Sequence, residues 1–366
     1  MKILIVHPSL SSGGAEKIIA FISNVLTKKY DVSLLLLKNE MVSLPIDKKI
    51  KIITKNCYSS QPIFGKYIFS GIKKINNMKH EIKKCIEIEN PNLIICFDLR
   101  VLLTLSFLGK RILTKTLFSE RADPYENPIY WQLILKKIYK SVRYIVFQTS
   151  GARDFYSYEL RNKSRIIYNP ALNRNLNASC KVIEKSDSNK IIFSAGRLQY
   201  RKGYDLLIKA FSTVNELKKD YKLVIYGEGE EKDNLLSLVK KLNLSKKVIF
   251  KSPVPNVIEK NRNSELFVLP SRSEGIPNIL IEAMYEGIPA ITTDCSPGGA
   301  RLLSDDGKYC LIANNNDYNS IAEKIIFAIN NKQYMVNMAL KAKKSLTRFD
   351  EKKIAKEWED VVKKLL

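Results

Sequence analysis

LFVLPSRSEGIPNILIEAMYEGIPAITTD, residues 266–294, decides the fold. Its opening apolar run, closed by Pro270, reads as a strand buried on both faces. A short loop follows with Glu274 and Gly275. A helix then opens at Pro277, in the first helical position where a missing N–H costs nothing. It stops at Gly287, and a second apolar run, 289–293, starts two residues later. Strand, loop, helix and strand in one short stretch make a βαβ unit, and such units build parallel sheets.

The same alternation fills the chain. Strands are expected at 2–6, 31–37, 50–53, 93–97, 116–119, 143–148 and 165–168, then at 190–195, 222–226, 247–250, 265–270, 289–293 and 309–312. Residues 171–189 interrupt it with a polar stretch of four Asn and three Ser, which reads as a linker. The expected division is therefore a first α/β domain over 1–175, a second over 176–348, and a terminal helix over 349–366. Two such domains leave a cleft between strand carboxyl ends, where α/β sheets bind ligands. In the terminal segment Ile354, Trp358, Val361, Val362 and Leu365 share one stripe, and Asp350 suits the N-cap.

Composition narrows the class. The 366 residues are 45% apolar and 27% charged, which excludes a disordered, collagen-like or coiled-coil chain. The net charge is +24, of which residues 1–170 carry +15. Such a charge points to an anionic partner: nucleic acid, lipid or a phosphorylated substrate. Six cysteines, at 57, 85, 96, 180, 295 and 310, include no CxxC pair and read as free thiols in a reducing compartment. Two histidines, His7 and His80, exclude a multi-histidine metal site. The N-terminal apolar run is too short for a signal peptide, and no stretch approaches a membrane span.

Three loops carry the chemistry. Glu274 sits between strand and helix, and Glu282 about one turn inside that helix. Carboxylates accept hydrogen bonds from sugar hydroxyls, while the helix N-terminus offers amides and a positive dipole to a phosphate. In FSAGRLQYRKGYDLLIKAF, 193–211, a strand runs into a glycine loop holding Arg197 and Lys202, a forked and a point cation suited to a diphosphate. In HPSLSSGGAEKII, 7–19, Gly13-Gly14 opens a helix after the first strand; lacking GxGxxG, it supports ligand contact or tight packing alike.

Taken together these loops resemble the retaining glycosyltransferases of family 4, whose GT-B fold sets two Rossmann-like domains face to face across a cleft, with a C-terminal helix crossing back to the first. The spacing Glu274-x7-Glu282 and the SAGRL…KG loop carry the resemblance, strongest over 190–300. It implies that Glu274 contacts the donor sugar, Glu282 the ribose, and Arg197 and Lys202 the diphosphate. It implies that Gly275, Ile276, Pro277 and Asn278 line the sugar and phosphate pocket and that Gly14 lies against the diphosphate. Gly227, in the GEGEE loop 227–231, and the 252–257 loop fall near the base. Retention follows by front-face attack, the leaving phosphate taking the acceptor proton. The chain contains no Asp-x-Asp, so the two cations stand where another architecture uses a metal, and neither metal nor cofactor is expected.

Many relatives carry a His near the donor sugar; the matching region here is TLFSERADP, 116–124. Ser119, Glu120 and Arg121 resemble a subset that builds bacterial surface polysaccharides such as lipopolysaccharide or capsule, and Glu120 and Arg121 are assigned to the cleft. His7 reads as structural. A helix over 66–86 puts Ile68, Ile72, Ile75, Met78, Ile82 and Ile86 on one side and Lys66, Lys73 and Lys84 on the other. The expected protein is a cytoplasmic enzyme, peripheral at the inner face of the plasma membrane through anionic lipid. It moves a sugar from UDP-hexose or UDP-N-acetylhexosamine to a lipid-linked saccharide. GDP-mannose is the alternative donor. A basic nucleic-acid binder is the alternative class, and it leaves the paired Glu and paired cations without a role.

Overall fold

The computed structural model describes residues 1–11, 13–58, 68–172 and 190–366, the side chains of 68–74 excepted. The chain divides into two compact units: Met1–Pro170 with Lys352–Leu366, and Ala171–Glu351. The expected boundary at 175/176 and most of the linker lie outside the described residues.

The first unit is built on seven strands: β1 (Lys2–His7), β2 (Asp31–Leu36), β3 (Lys51–Thr54), β4 (Leu93–Cys96), β5 (Thr116–Ser119), β6 (Tyr144–Phe147) and β7 (Ser164–Ile166). All pair in parallel, in the order β3-β2-β1-β4-β5-β6-β7. Ile3–Val6 on β1 and Leu93–Cys96 on β4 are fully buried, the mark of strands covered by helices on both faces. The helices Gly14–Leu26 and Ile68–Glu89 contribute to that cover. Ile75, Met78 and Ile82 are buried as the periodicity predicts, and Ile86 packs against them half-buried; Ile68, Ile72, Lys66 and Lys73 lie outside the described side chains.

The helix Glu351–Leu365 completes this unit, not the one that precedes it in sequence. Its five stripe residues are all buried, with Trp358 wholly so. Phe97, just past β4, lies 6.1 Å from the Trp358 ring. Lys29 pairs with Glu359 at 2.6 Å.

The second unit carries β8 (Ile191–Ala195), β9 (Lys222–Tyr226), β10 (Val248–Lys251), β11 (Leu266–Leu269), β12 (Ala290–Thr293) and β13 (Leu311–Ala313). These too are all parallel, in the order β10-β9-β8-β11-β12-β13. The helices Tyr204–Leu217 and Tyr318–Asn330 share its core through Leu207, Phe211, Ile321 and Ile325. Every expected strand is present, with ends displaced by a residue or two. In both sheets the chain fills one side, returns to the middle and fills the other. Each therefore has one place, β1/β4 and β8/β11, where neighbouring strands lead away in opposite directions.

Trp358→Ala should cost the fold about 3–5 kcal/mol, the usual toll for emptying a buried aromatic site. Urea unfolding followed by circular dichroism measures it; a loss within experimental error would show that the helix is an accessory to the first unit.

Candidate active site

In the second unit the crevice opens between β8 and β11, at the switch in strand order where α/β sheets hold ligands. The loop leaving β8 brings Lys202, and the loop leaving β11 brings Glu274. They meet: Lys202 Nζ hydrogen-bonds Glu274 Oε1, which also accepts from Ser271 Oγ at 2.8 Å. Arg201 Nη1 stands 3.7 Å from Glu274 Oε2 and donates to the Ser273 carbonyl at 3.3 Å. Glu274 is buried and Lys202 nearly so, so each ion depends on the other for compensation.

The approach of the two loops is fixed by backbone. Gly203 adopts φ +66, and a Cβ there would strike the Pro270 carbonyl. Only glycine fits the left-handed turn and the close contact together. Arg272 ties the loops from the other side. Its guanidinium makes bidentate bonds of 2.7 and 2.8 Å to Asp205 and lies 4.0 Å from the Tyr200 ring centre, and the Arg272 backbone N–H donates to the Arg201 carbonyl at 2.7 Å. The Glu274 N–H donates to Ser296 at 3.0 Å, anchoring the loop to the β12 side.

The helix Asn278–Tyr285 starts directly after this loop. Pro277 is its N-cap and not, as expected, its first residue; with ψ 98 it is still extended. Pro277 contributes no side-chain cap, and the positive end of the helix dipole lies where the Glu274 loop ends. At the other end Gly287, at φ +68, closes the helix as expected: its N–H bonds Met284 O and the Ile288 N–H bonds Ala283 O, both at 3.1 Å. Gly275, Ile276 and Asn278 lie at the helix start, with Ile276 buried, and Glu282 is half-buried one turn in. Gly299 packs so closely on the Gly275 carbonyl that no Cβ fits between them. Gly227, after β9, packs on the Gly196 carbonyl closely enough that a Cβ would clash there too. Arg197 is exposed on the β8 loop, and Gly14 is exposed as the first residue of its helix in the other unit.

The sequence reading missed three members. Arg201, beside Lys202, is the arginine that reaches Glu274. Ser271, three residues before Glu274, hydrogen-bonds it. Arg272 holds the loops together. Ser271 had a usable signal, since the end of a buried strand points into the crevice. The Arg272–Asp205 pair spans distant segments and had none.

The first unit has its own polar cluster past β1, β4 and β5. Glu120, assigned to the cleft, is buried and accepts from Tyr156 Oη at 3.0 Å. Burial pushes its carboxyl up to about 8 against the opposing Tyr156 and Tyr139 hydroxyls. Arg121 donates to Asn169 Oδ1 at 2.6 Å and lies 5.3 Å from Phe97 and 5.9 Å from Trp358. Burial lowers it to about 9. His7 is buried edge-on to Phe97, and burial with the Arg121 and Lys38 charges holds its imidazole down to about 3. Burial and both charges favour the neutral ring. Among the described residues no three His, Cys, Asp or Glu side chains group to hold a metal.

Comparison with known proteins gives these arrangements a context. Residues 178–345 match the family described as Glycosyl transferases group 1. The chain is 29% identical over 374 residues to a Campylobacter jejuni enzyme, covering 98% of this chain and 97% of that one. Its name is N-acetylgalactosamine-N,N'-diacetylbacillosaminyl-diphospho-undecaprenol 4-alpha-N-acetylgalactosaminyltransferase. An uncharacterized glycosyltransferase of Methanocaldococcus jannaschii is 31% identical over 280 residues, 70% of this chain and 67% of its own. The crystal structure of Anabaena HepE in complex with UDP and glucose matches with a TM-score of 0.77 at 18% identity, over 99% of each chain. That likeness shows the fold, GT-B, with its two parallel-sheet α/β domains.

Glu120 sets a pH dependence with a definite sign. Its folded value, about 8, lies above the ordinary 4.5. The folded state holds the proton more tightly, so stability falls as pH rises from about 4.5 through 8. Glu120→Gln should flatten that fall and raise the melting temperature most near pH 9. An unchanged pH slope would mean that Glu120 ionises freely in the fold.

Proposed function

The chain belongs to the group 1 glycosyl transferases, and on that premise we propose that it is a retaining enzyme of bacterial surface-polysaccharide synthesis. It moves a hexose or N-acetylhexosamine from a UDP donor to a lipid-linked saccharide at the inner face of the plasma membrane. One observation carries the reading: the buried Glu274 carboxylate, held by Lys202 and Ser271 at the β8/β11 crevice just before the helix Asn278–Tyr285.

The division of labour follows from donor counts. The Lys202 ammonium has three protons. Glu274 takes one, and the others serve the diphosphate. Arg197 and Arg201 add charge from the same loop, and the first-turn amides of Asn278–Tyr285 complete an anion site without a metal. Glu274 keeps lone pairs for the donor sugar's hydroxyls, and Glu282, one turn deeper, receives the ribose. As the bond from the anomeric carbon to phosphate oxygen breaks, negative charge grows on the diphosphate, where these groups already point. The acceptor hydroxyl attacks from the same face and passes its proton to the departing phosphate oxygen, so no side-chain nucleophile is needed.

UDP is preferred because HepE, the structural relative, was solved with UDP. The lipid-linked acceptor is preferred because the Campylobacter relative is named for a diphospho-undecaprenol substrate. GDP-mannose is the other donor that the pocket's chemistry admits.

A thermal-shift screen of the purified chain against UDP, GDP, ADP and their sugars, with DNA as control, tests the reading. Stabilisation by one nucleotide, reduced by Lys202→Ala, is expected; stabilisation by DNA alone would overturn it. Glu274→Gln, which keeps the volume, should lower turnover by about 10²–10³ and, by leaving Lys202 without its counter-ion, also lower the melting temperature, so turnover is read on the folded fraction. Near-normal turnover would remove Glu274 from the reaction. EDTA should leave the rate unchanged, and strict metal dependence would refute the metal-free site.

A further inference from the structure

The helix Ile129–Ser141 in the first unit turns an unusual face outward. On a helical wheel Ile129, Tyr130, Leu133, Lys137 and Lys140 fall within about 100°, opposite the buried Leu135 and Tyr139. The three large side chains are 76%, 51% and 63% exposed. An ordinary surface helix places polar residues there. The face extends beyond the helix. The exposed Tyr125 stacks edge-on against Phe155 at 4.7 Å, and Lys136 lies 4.8 Å from the same ring. Lys140 makes a loose 3.6 Å pair with Glu159, next to Tyr158, which is itself largely exposed.

We propose that this face is where the first unit docks on an anionic lipid bilayer. Isoleucine and leucine enter the interface, tyrosines sit at headgroup depth, and the lysines meet lipid phosphates. Charge favours lipid over a second copy of the chain. The first unit carries 33 basic against 16 acidic side chains, a net +17, and a two-fold contact through this stripe would bring like charges together. Direction favours it too. The helix follows β5, so its apolar end lies at the strand carboxyl edge, where ligands of an α/β unit bind. The inference rests on the lipid-linked acceptor proposed above and names the surface that would meet it.

The experiment is co-sedimentation of the full chain with vesicles of phosphatidylcholine, with and without about one-third phosphatidylglycerol, at low and high salt. Two double variants are compared: Ile129→Ser with Leu133→Ser, and Lys137→Glu with Lys140→Glu. A remote control, Lys240→Glu with Lys241→Glu, makes the same charge change in the second unit. Wild type and the remote control should bind the anionic vesicles, more weakly at high salt, and each face variant should bind about tenfold less or worse. The UDP thermal shift, read on every sample, shows that the fold and donor site persist, so failure of the donor reading is seen separately from failure of docking. The proposal is overturned if wild type ignores anionic vesicles. It is overturned equally if the face variants bind like wild type, or if light scattering shows that they only break a dimer.

Discussion

Two neighbouring parallel strands whose connections lead away to opposite sides leave a gap at their carboxyl ends that neither connection can cover. In the second unit that gap lies between β8 and β11, and the surrounding sequence answers to it. Loops from both strands must turn sharply to clear it, hence Gly203 on one side and Pro277 on the other. Once there, a carboxylate from one loop and an ammonium from the other are partly withdrawn from water. Neither could stay without its partner, because an unpaired buried charge is far more costly than a paired one. The Lys202–Glu274 pair is thus both a strut between the loops and the polar floor of the crevice.

The fold was legible because burial on both sides of a parallel sheet leaves little choice of residue. Runs such as KILIV and LFVL can hardly be anything but inner strands, and the glycines and prolines at their ends mark the turns. The terminal stripe was legible for the same reason: Ile354, Trp358, Val361, Val362 and Leu365 repeat with the helical period and are all buried. Glu274 and Lys202, which local pattern alone singled out, meet in the structure. The site was not legible where it depends on tertiary approach. Arg197 and Arg201 occupy one loop, and only its 3-10 turn, Tyr200–Lys202, brings the second one to Glu274. Arg272 and Asp205 are 67 residues apart and meet only because β8 and β11 are neighbours.

Glu120 shows a different limit. A charged residue past a strand end invites a ligand role, and sequence offers no sign of which way its side chain turns. Here it turns inward, among Tyr139 and Tyr156, where burial favours the neutral acid. Its neighbour Arg121 stays charged beside two aromatic faces, which attract a cation without neutralising it. The cluster brings β1, β4 and β5 together with the terminal helix, so the end of the first sheet and the last turns of the chain form a single packed layer.

That layer has a consequence for biosynthesis. Phe97 and Trp358 are partners in one core, yet a ribosome makes them 261 residues apart, with the whole second unit emerging between them. The second unit can finish folding as soon as its own strands are out. The first unit, although it is translated before the second, must wait with one flank uncovered until the helix Glu351–Leu365 has been made. Its order of completion is the reverse of its order of synthesis.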